Sequence, residues 1–312
     1  MQQEAYLVAH RPFASITFPE KQGSSTILRL LTISRKAKIP LVDKEFYDPI
    51  DAQAITSGLA TSWLGKPTYY YPEITSTNER LKEVALEGAA EGTLIISDYQ
   101  SQGKGRLSRR WIAPKGSSLL LSLLFRPKWP VTQINWIMMA ASLAAKESVL
   151  SVLNLEVQLK WPNDLMISVN GRLQKFAGLL LELVSESDGK GAAVLGIGIN
   201  VNNEMPRIPD AVNPAVSLRD ALGHPVNRLP ILLRFLDQLE QRYELANQGK
   251  SPQPEWEKSL ITIGAEVNVS NSAANYAVTG RAIGTDQNGR LLVKDKDSKI
   301  HKISAADVTL RG

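Results

Sequence analysis

From Gln100 to Trp111 the chain reads Gln-Ser-Gln-Gly-Lys-Gly-Arg-Leu-Ser-Arg-Arg-Trp, so Lys104, Arg106, Arg109 and Arg110 surround two closely spaced glycines. Glycine lets backbone amides approach an anion, and the cations supply charge. Joining a carboxylate to the α-phosphate of ATP brings two anions together. A flexible basic loop cancels that repulsion and covers the product against water. A solvated basic turn would have the same composition, so the neighbouring segments decide. The surroundings are one-sided: no acidic residue lies between Asp98 and Glu147, where Lys115, Arg126 and Lys128 join the loop's own cations.

Three further segments carry chemistry. Lys160-Trp-Pro-Asn-Asp164 combines a cation, an aromatic and a carboxylate. Pro162 cannot continue a ladder, so Asn163 and Asp164 should project from a turn at a strand end, where an Asx turn alone would also account for them. Asp164 could hold a Mg²⁺ that bridges a triphosphate. In Lys175-Phe-Ala-Gly178 the lysine is aimed from a strand start and the glycine clears space; a snorkelling edge lysine is the plainer alternative. Gly196-Ile-Gly-Ile-Asn200 either packs a strand closely or presents Asn200 to a nucleotide. It is not a dinucleotide fingerprint, because Val201 occupies the third glycine position and the run does not open a helix. Gly249-Lys250-Ser251 ends like a Walker A loop, but Glu244 stands where the first glycine belongs.

These segments need a frame. Periodicity predicts helices over 51–59, 76–86, 134–153 and 230–248, and strands over 68–71, 93–99, 117–125, 157–161, 165–169, 175–183 and 193–200. Ser76 followed by Glu79 has the capping-box spacing. Strands and helices without strict βαβ alternation indicate α+β. After Gly264 the texture changes to short strand-like runs over 266–270, 277–283 and 291–294, with Asn288-Gly289 as a hairpin signal, so 262–312 reads as a small all-β, barrel-like domain.

The 312 residues suffice for one large and one small domain. Zero cysteines exclude disulfides and thiolate chemistry and fit a reducing compartment; three scattered histidines, His10, His224 and His301, argue against a histidine metal site. The main apolar stretch, 136–145, is too short to span a bilayer. Residues 1 to about 45 lack periodicity and carry six Lys/Arg in the first forty against Glu4 and Glu20. A transit peptide fits poorly there, and the one helical candidate, 25–34, has no second helix before Pro40 with which to make a DNA-binding pair.

Taken in order, Ser76-Thr77-Asn78, Gly103-Lys-Gly-Arg106 with Arg109 and Trp111, Lys160-Trp-Pro-Asn-Asp164, Lys175-Phe-Ala-Gly178 and Gly196-Ile-Gly-Ile-Asn200 resemble the biotin protein ligases over about 49–312. The resemblance implies an α+β fold: a mixed-sheet catalytic domain of the biotin/lipoate ligase type (49–261) followed by an SH3-like barrel (262–312), with 1–48 an extension of unknown role. It implies that biotin and ATP give biotinyl-5'-AMP, and that biotin then passes to a lysine of the biotin carboxyl carrier protein of acetyl-CoA carboxylase, in the cytoplasm. By carry-over, Ser76, Thr77, Asn78 and Gln100 bind the ureido ring, and Lys104, Gly105, Arg106 and Lys175 bind the carboxylate and phosphates. Arg109, Trp111, Lys160, Asn163 and Asn200 serve ATP, and Asp164 serves Mg²⁺. The catalytic group is Lys175, Arg106 and Asp164, the last as a hypothetical base.

Two departures stand out. Lys104 occupies a usual arginine position, and Leu107 and Ser108 replace a more basic, glycine-containing stretch. The first 48 residues also lack the winged helix-turn-helix of repressor members, so DNA binding is not expected; a homodimer is compatible with the sequence. The rival enzyme is a lipoate ligase on the same scaffold, disfavoured by the Arg106-to-Trp111 pattern and the barrel. A nucleic-acid module would need more aromatics among the charges than Trp111.

Overall fold

The computed structural model describes residues 48, 50–107, 109–185, 191–204, 215–271, 276–304 and 306–310. The helix expected over 25–34, and Ser108 in the glycine loop, lie outside the described residues. So does nearly all of the 1–48 extension.

The longest apolar runs of the sequence become the middle of a seven-stranded sheet. β3 (Ser118–Phe125) and β7 (Ala192–Asn200) are buried at every position, as expected of strands covered on both faces. The order is β1 (Thr68–Tyr71), β2 (Leu94–Ser97), β3, β7, β6 (Arg172–Val184), β5 (Asp164–Val169), β4 (Gln158–Lys160). Only β1 and β2 are parallel; the rest pair antiparallel. On one face α2 (Thr77–Leu86) packs Leu81 and Ala85 against Ile95, Leu124 and Val194. The main core, on the other face, contains α3 (Trp136–Leu153) and α5 (Arg228–Asn247), which follow α1 (Ala52–Gly58) and precede α6 (Gln253–Lys258).

The stretch Val131–Leu153 is long and apolar enough to cross a membrane by composition, although the continuous apolar run within it is short. Its apolarity serves the core instead: Ile137, Met139, Ala141, Ala144 and Val149 are fully or almost fully buried. A helix apolar on all sides belongs inside a fold.

Residues 266–310 form a five-stranded antiparallel sheet in the order β11 (Ile300–Ile303), β10 (Leu291–Lys294), β9 (Tyr276–Thr285), β8 (Glu266–Asn271), β12 (Asp307–Leu310). The Asn288-Gly289 signal lies in the β9–β10 connection, where Gly289 takes φ 76°, a left-handed conformation that suits glycine. β11, β12, α4 (Leu218–Leu222) and α6, each four to six residues long, were not predicted from the sequence. Lys175, expected at a strand start, is instead the fourth residue of β6, and Asp164 is the first residue of β5 rather than part of the preceding turn.

Candidate active site

A cleft of about 570 Å³ opens over β6 and β7, walled by the start of α2, the glycine loop, the β4–β5 turn and the β12 end of the small sheet. Its floor on one side is uncharged and hydrogen-bonding. Ser76 caps α2, which brings Thr77 and Asn78 in the first turn to the cleft. Gln100 Oε1 accepts from the backbone N–H of Thr77 at 2.8 Å, and Ser122 Oγ donates to Asn78 Oδ1 at 2.5 Å. Asn78 Nδ2 donates to Glu182 Oε2 at 2.7 Å. Gly196 is required beneath them, since a Cβ there would lie 2.1 Å from Asn78 Oδ1.

The other side is cationic. The loop folds back on itself through Trp111 N–H to Gly103 O (2.9 Å) and Gly105 N–H to Arg109 O (2.8 Å). Beyond Arg106, Leu107 takes φ 52°, a conformation uncommon for a side-chain-bearing residue. Arg106 reaches inward to Asn163 Oδ1 at 3.1 Å and to the carbonyl of Ala306 at 3.3 Å. Burial pulls the Arg106 guanidinium below its ordinary pKa, and burial does the same to Lys160 despite the nearby Asp164 charge. Two cations held under strain of desolvation gain from an incoming anion. Lys104 sits at the rim, 2.5 Å from Glu79 Oε1.

Lys175 Nζ lies 2.5 Å from Asp164 Oδ1 and 5.7 Å from the centre of the Trp111 ring. Trp111 closes this end against glycine: a Cβ at Gly198 would fall 2.5 Å from its Cε2 atom. Its buried indole N–H has no hydrogen-bond partner among the described residues.

Ser76, Thr77, Asn78, Gln100, Lys104, Gly105, Arg106, Arg109, Trp111, Lys160, Asn163, Asp164 and Lys175 all line this cleft. Asn200, expected to serve the nucleotide, is not among the residues lining the cleft. Strand parity puts it on the face of Gly196 and Gly198. However, residues beside α4 cover that end of β7, where Asn200 Nδ2 donates to Val216 O at 3.4 Å and Asn203 donates to its Oδ1 at 3.0 Å. Sequence reasoning also missed Ser122, Glu182 and Asp307. Glu182 had a signal, as the one charge in the otherwise apolar 179–184. Asp307, which pairs with Arg109 on the loop, had none, since the two are 198 positions apart.

Known proteins resemble this chain in sequence and fold. The chain matches the Biotin/lipoate A/B protein ligase family over residues 70–202 and the Biotin protein ligase C terminal domain over 262–311. It is 33% identical over 259 residues to the bifunctional ligase/repressor BirA of Bacillus subtilis, covering 82% of this chain and 78% of that one. It is likewise 33% identical over 240 residues to the biotin--[acetyl-CoA-carboxylase] ligase of Mycobacterium tuberculosis, covering 75% and 85%. A biotin protein ligase from Aquifex aeolicus, solved in complex with biotin and ATP, superposes with a TM-score of 0.65 at 27% identity, covering 79% of this chain and 99% of that one. With a cleft divided into a neutral amide floor and a cationic loop, and both domain matches in order, the chain belongs to the biotin protein ligase family.

Proposed function

We propose that this chain is an ATP-dependent biotin protein ligase. The carrying observation is the division of one cleft into a neutral hydrogen-bonding floor and a cationic wall ending on Trp111. A ureido ring is uncharged and polar and needs paired partners, whereas the reacting carboxylate and phosphates need charge. Thr77, Asn78 and Gln100 would take the ring, with Ser76 shaping the turn. Lys104, Gly105 and Arg106 would hold the carboxylate and phosphates, and Arg109, Lys160, Asn163 and Trp111 would receive the nucleotide.

In the first step a carboxylate oxygen of biotin attacks the α-phosphorus and pyrophosphate leaves. Lys175 and Arg106 stabilise the charge that develops. In the second, the ε-amine of a carrier lysine attacks the acyl carbon and AMP leaves. That amine has an ordinary pKa near ~10.4 and must first lose a proton. Asp164 is the proposed acceptor, held in place by Lys175.

Among the described residues no group of three or more His, Cys, Asp or Glu could hold a metal. The cleft carboxylates are Asp164 and Asp307, a set that fits Mg²⁺ carried largely by phosphate oxygens, with Asp164 as its protein ligand. When bound, the ion would neutralise phosphate charge. The match to the C-terminal biotin ligase domain favours biotin over lipoate. A catalytic unit over 49–261, a C-terminal unit over 262–312, a cytoplasmic location and action on the carrier protein of acetyl-CoA carboxylase complete the proposal.

Incubating a purified biotin carboxyl carrier domain with this protein, biotin and MgATP should add the mass of one biotin by mass spectrometry. Lipoate supplied in its place should add none. No gain with biotin would reject the assignment.

A further inference from the structure

The hydrogen bonds beneath the cleft floor run in one direction. Gln100 Oε1 accepts from both the backbone N–H of Thr77 at 2.8 Å and its hydroxyl at 3.1 Å, and Ser122 Oγ lies 2.8 Å from that hydroxyl oxygen. Ser122 has a single hydroxyl proton, and Asn78 Oδ1, at 2.5 Å, can only accept it. Asn78 Nδ2 must then donate onward, and it meets Glu182 Oε2 at 2.7 Å, a carboxylate that can only accept. The chain Ser122 to Asn78 to Glu182 ends on a charge that fixes the orientation of the amide. Glu182 itself is held by Lys82 Nζ at 3.1 Å from its other oxygen.

We propose that Glu182, outside the cleft, is the positioning residue that sets the donor–acceptor polarity of the cleft floor and thereby its preference for a ligand presenting a hydrogen-bond acceptor. With Oδ1 taken by Ser122 and one Nδ2 hydrogen taken by Glu182, the second Nδ2 hydrogen is what Asn78 offers to the cleft. In this orientation Asn78 is a donor, matched to a ureido oxygen; a flipped amide would present an acceptor there and repel it. This rests on the biotin-ligase reading above.

The test compares biotin with 2-thiobiotin, whose sulfur is a weak acceptor in place of the ureido oxygen, in ATP–pyrophosphate exchange. Wild-type exchange with biotin checks the functional reading by itself; if it is absent, that reading falls regardless of Glu182. In an active enzyme, Glu182→Gln should raise the KM for biotin about tenfold with little change in kcat. It should also shrink the preference for biotin over 2-thiobiotin by a similar factor, because residue and ligand atom are coupled. Ser122→Ala, which removes the preceding link, should move the preference the same way and carries the test if E182Q fails to fold. Equal losses with both ligands, or an unchanged preference in an active variant, would overturn the proposal.

Discussion

The guanidinium of Arg109, on the glycine loop, is ion-paired with the carboxylate of Asp307, the first residue of β12. With Arg106 bonded to the carbonyl of Ala306 at 3.3 Å, the loop meets the small C-terminal sheet at two adjacent positions. The loop bordering the cleft is therefore latched to the small C-terminal sheet.

Breaking that latch should act on product retention rather than folding. The pair is exposed, 65% and 38% for the two side chains, and exposed pairs contribute little stability. Asp307→Asn is expected to speed release of bound biotinyl-AMP about two- to fivefold while leaving the unfolding temperature within a degree or so. Dissociation of labelled adenylate, chased with unlabelled biotin and ATP, measures it.

Glycine substitutions on β7 should separate the two ligands. At Gly196 an added methyl meets Asn78, and at Gly198 it meets Trp111. Overpacking of about 1 to 3 kcal/mol corresponds to roughly five- to 150-fold. Gly196→Ala should raise the KM for biotin and Gly198→Ala the KM for ATP; the reverse pattern would mean that the cleft ends have been assigned the wrong way round.

Lys175 and Asp164 should divide the reaction between them. Lys175→Met should slow single-turnover formation of biotinyl-AMP by about a hundredfold or more, through loss of a charge stabilising the transition state. Asp164→Asn, supplied with preformed biotinyl-AMP, should slow transfer to the carrier lysine. A normal transfer rate would remove Asp164 as the base.

Acid should loosen the rim. Burial pushes the Glu79 carboxyl up, but hydrogen bonds from Lys104 and Lys82 outweigh it, holding the group below its ordinary value of 4.5. A carboxylate depressed on folding adds stability above the unfolded value, and the gain fades as pH falls through the folded one. The difference in unfolding temperature between wild type and Glu79→Gln should thus be present at pH 7 and disappear as the pH drops below 4.5.

The α+β class was legible because β3 and β7 are continuous apolar runs and α2 carries its own cap. The cleft-lining residues were legible where local spacing carries the chemistry, as in Lys104 to Arg106 and Lys160 to Asp164. The surroundings of Asn200 were not legible, because the chain near Val216 that bonds to it at the strand end is distant in sequence. Glu182 and Asp307 act across sheet and domain contacts, which local sequence patterns do not encode.

Gly196 and Gly198 are two residues apart on one strand, so the seats of the Asn78 amide and the Trp111 ring are separated by about 7 Å of backbone rise. β7 thereby serves as a ruler. Side chains elsewhere in the cleft can drift over evolution and retune affinity, but the separation between the two half-sites is a property of the peptide repeat itself. Only an insertion or deletion within β7 would alter it, and every residue of that strand is buried in the centre of the sheet.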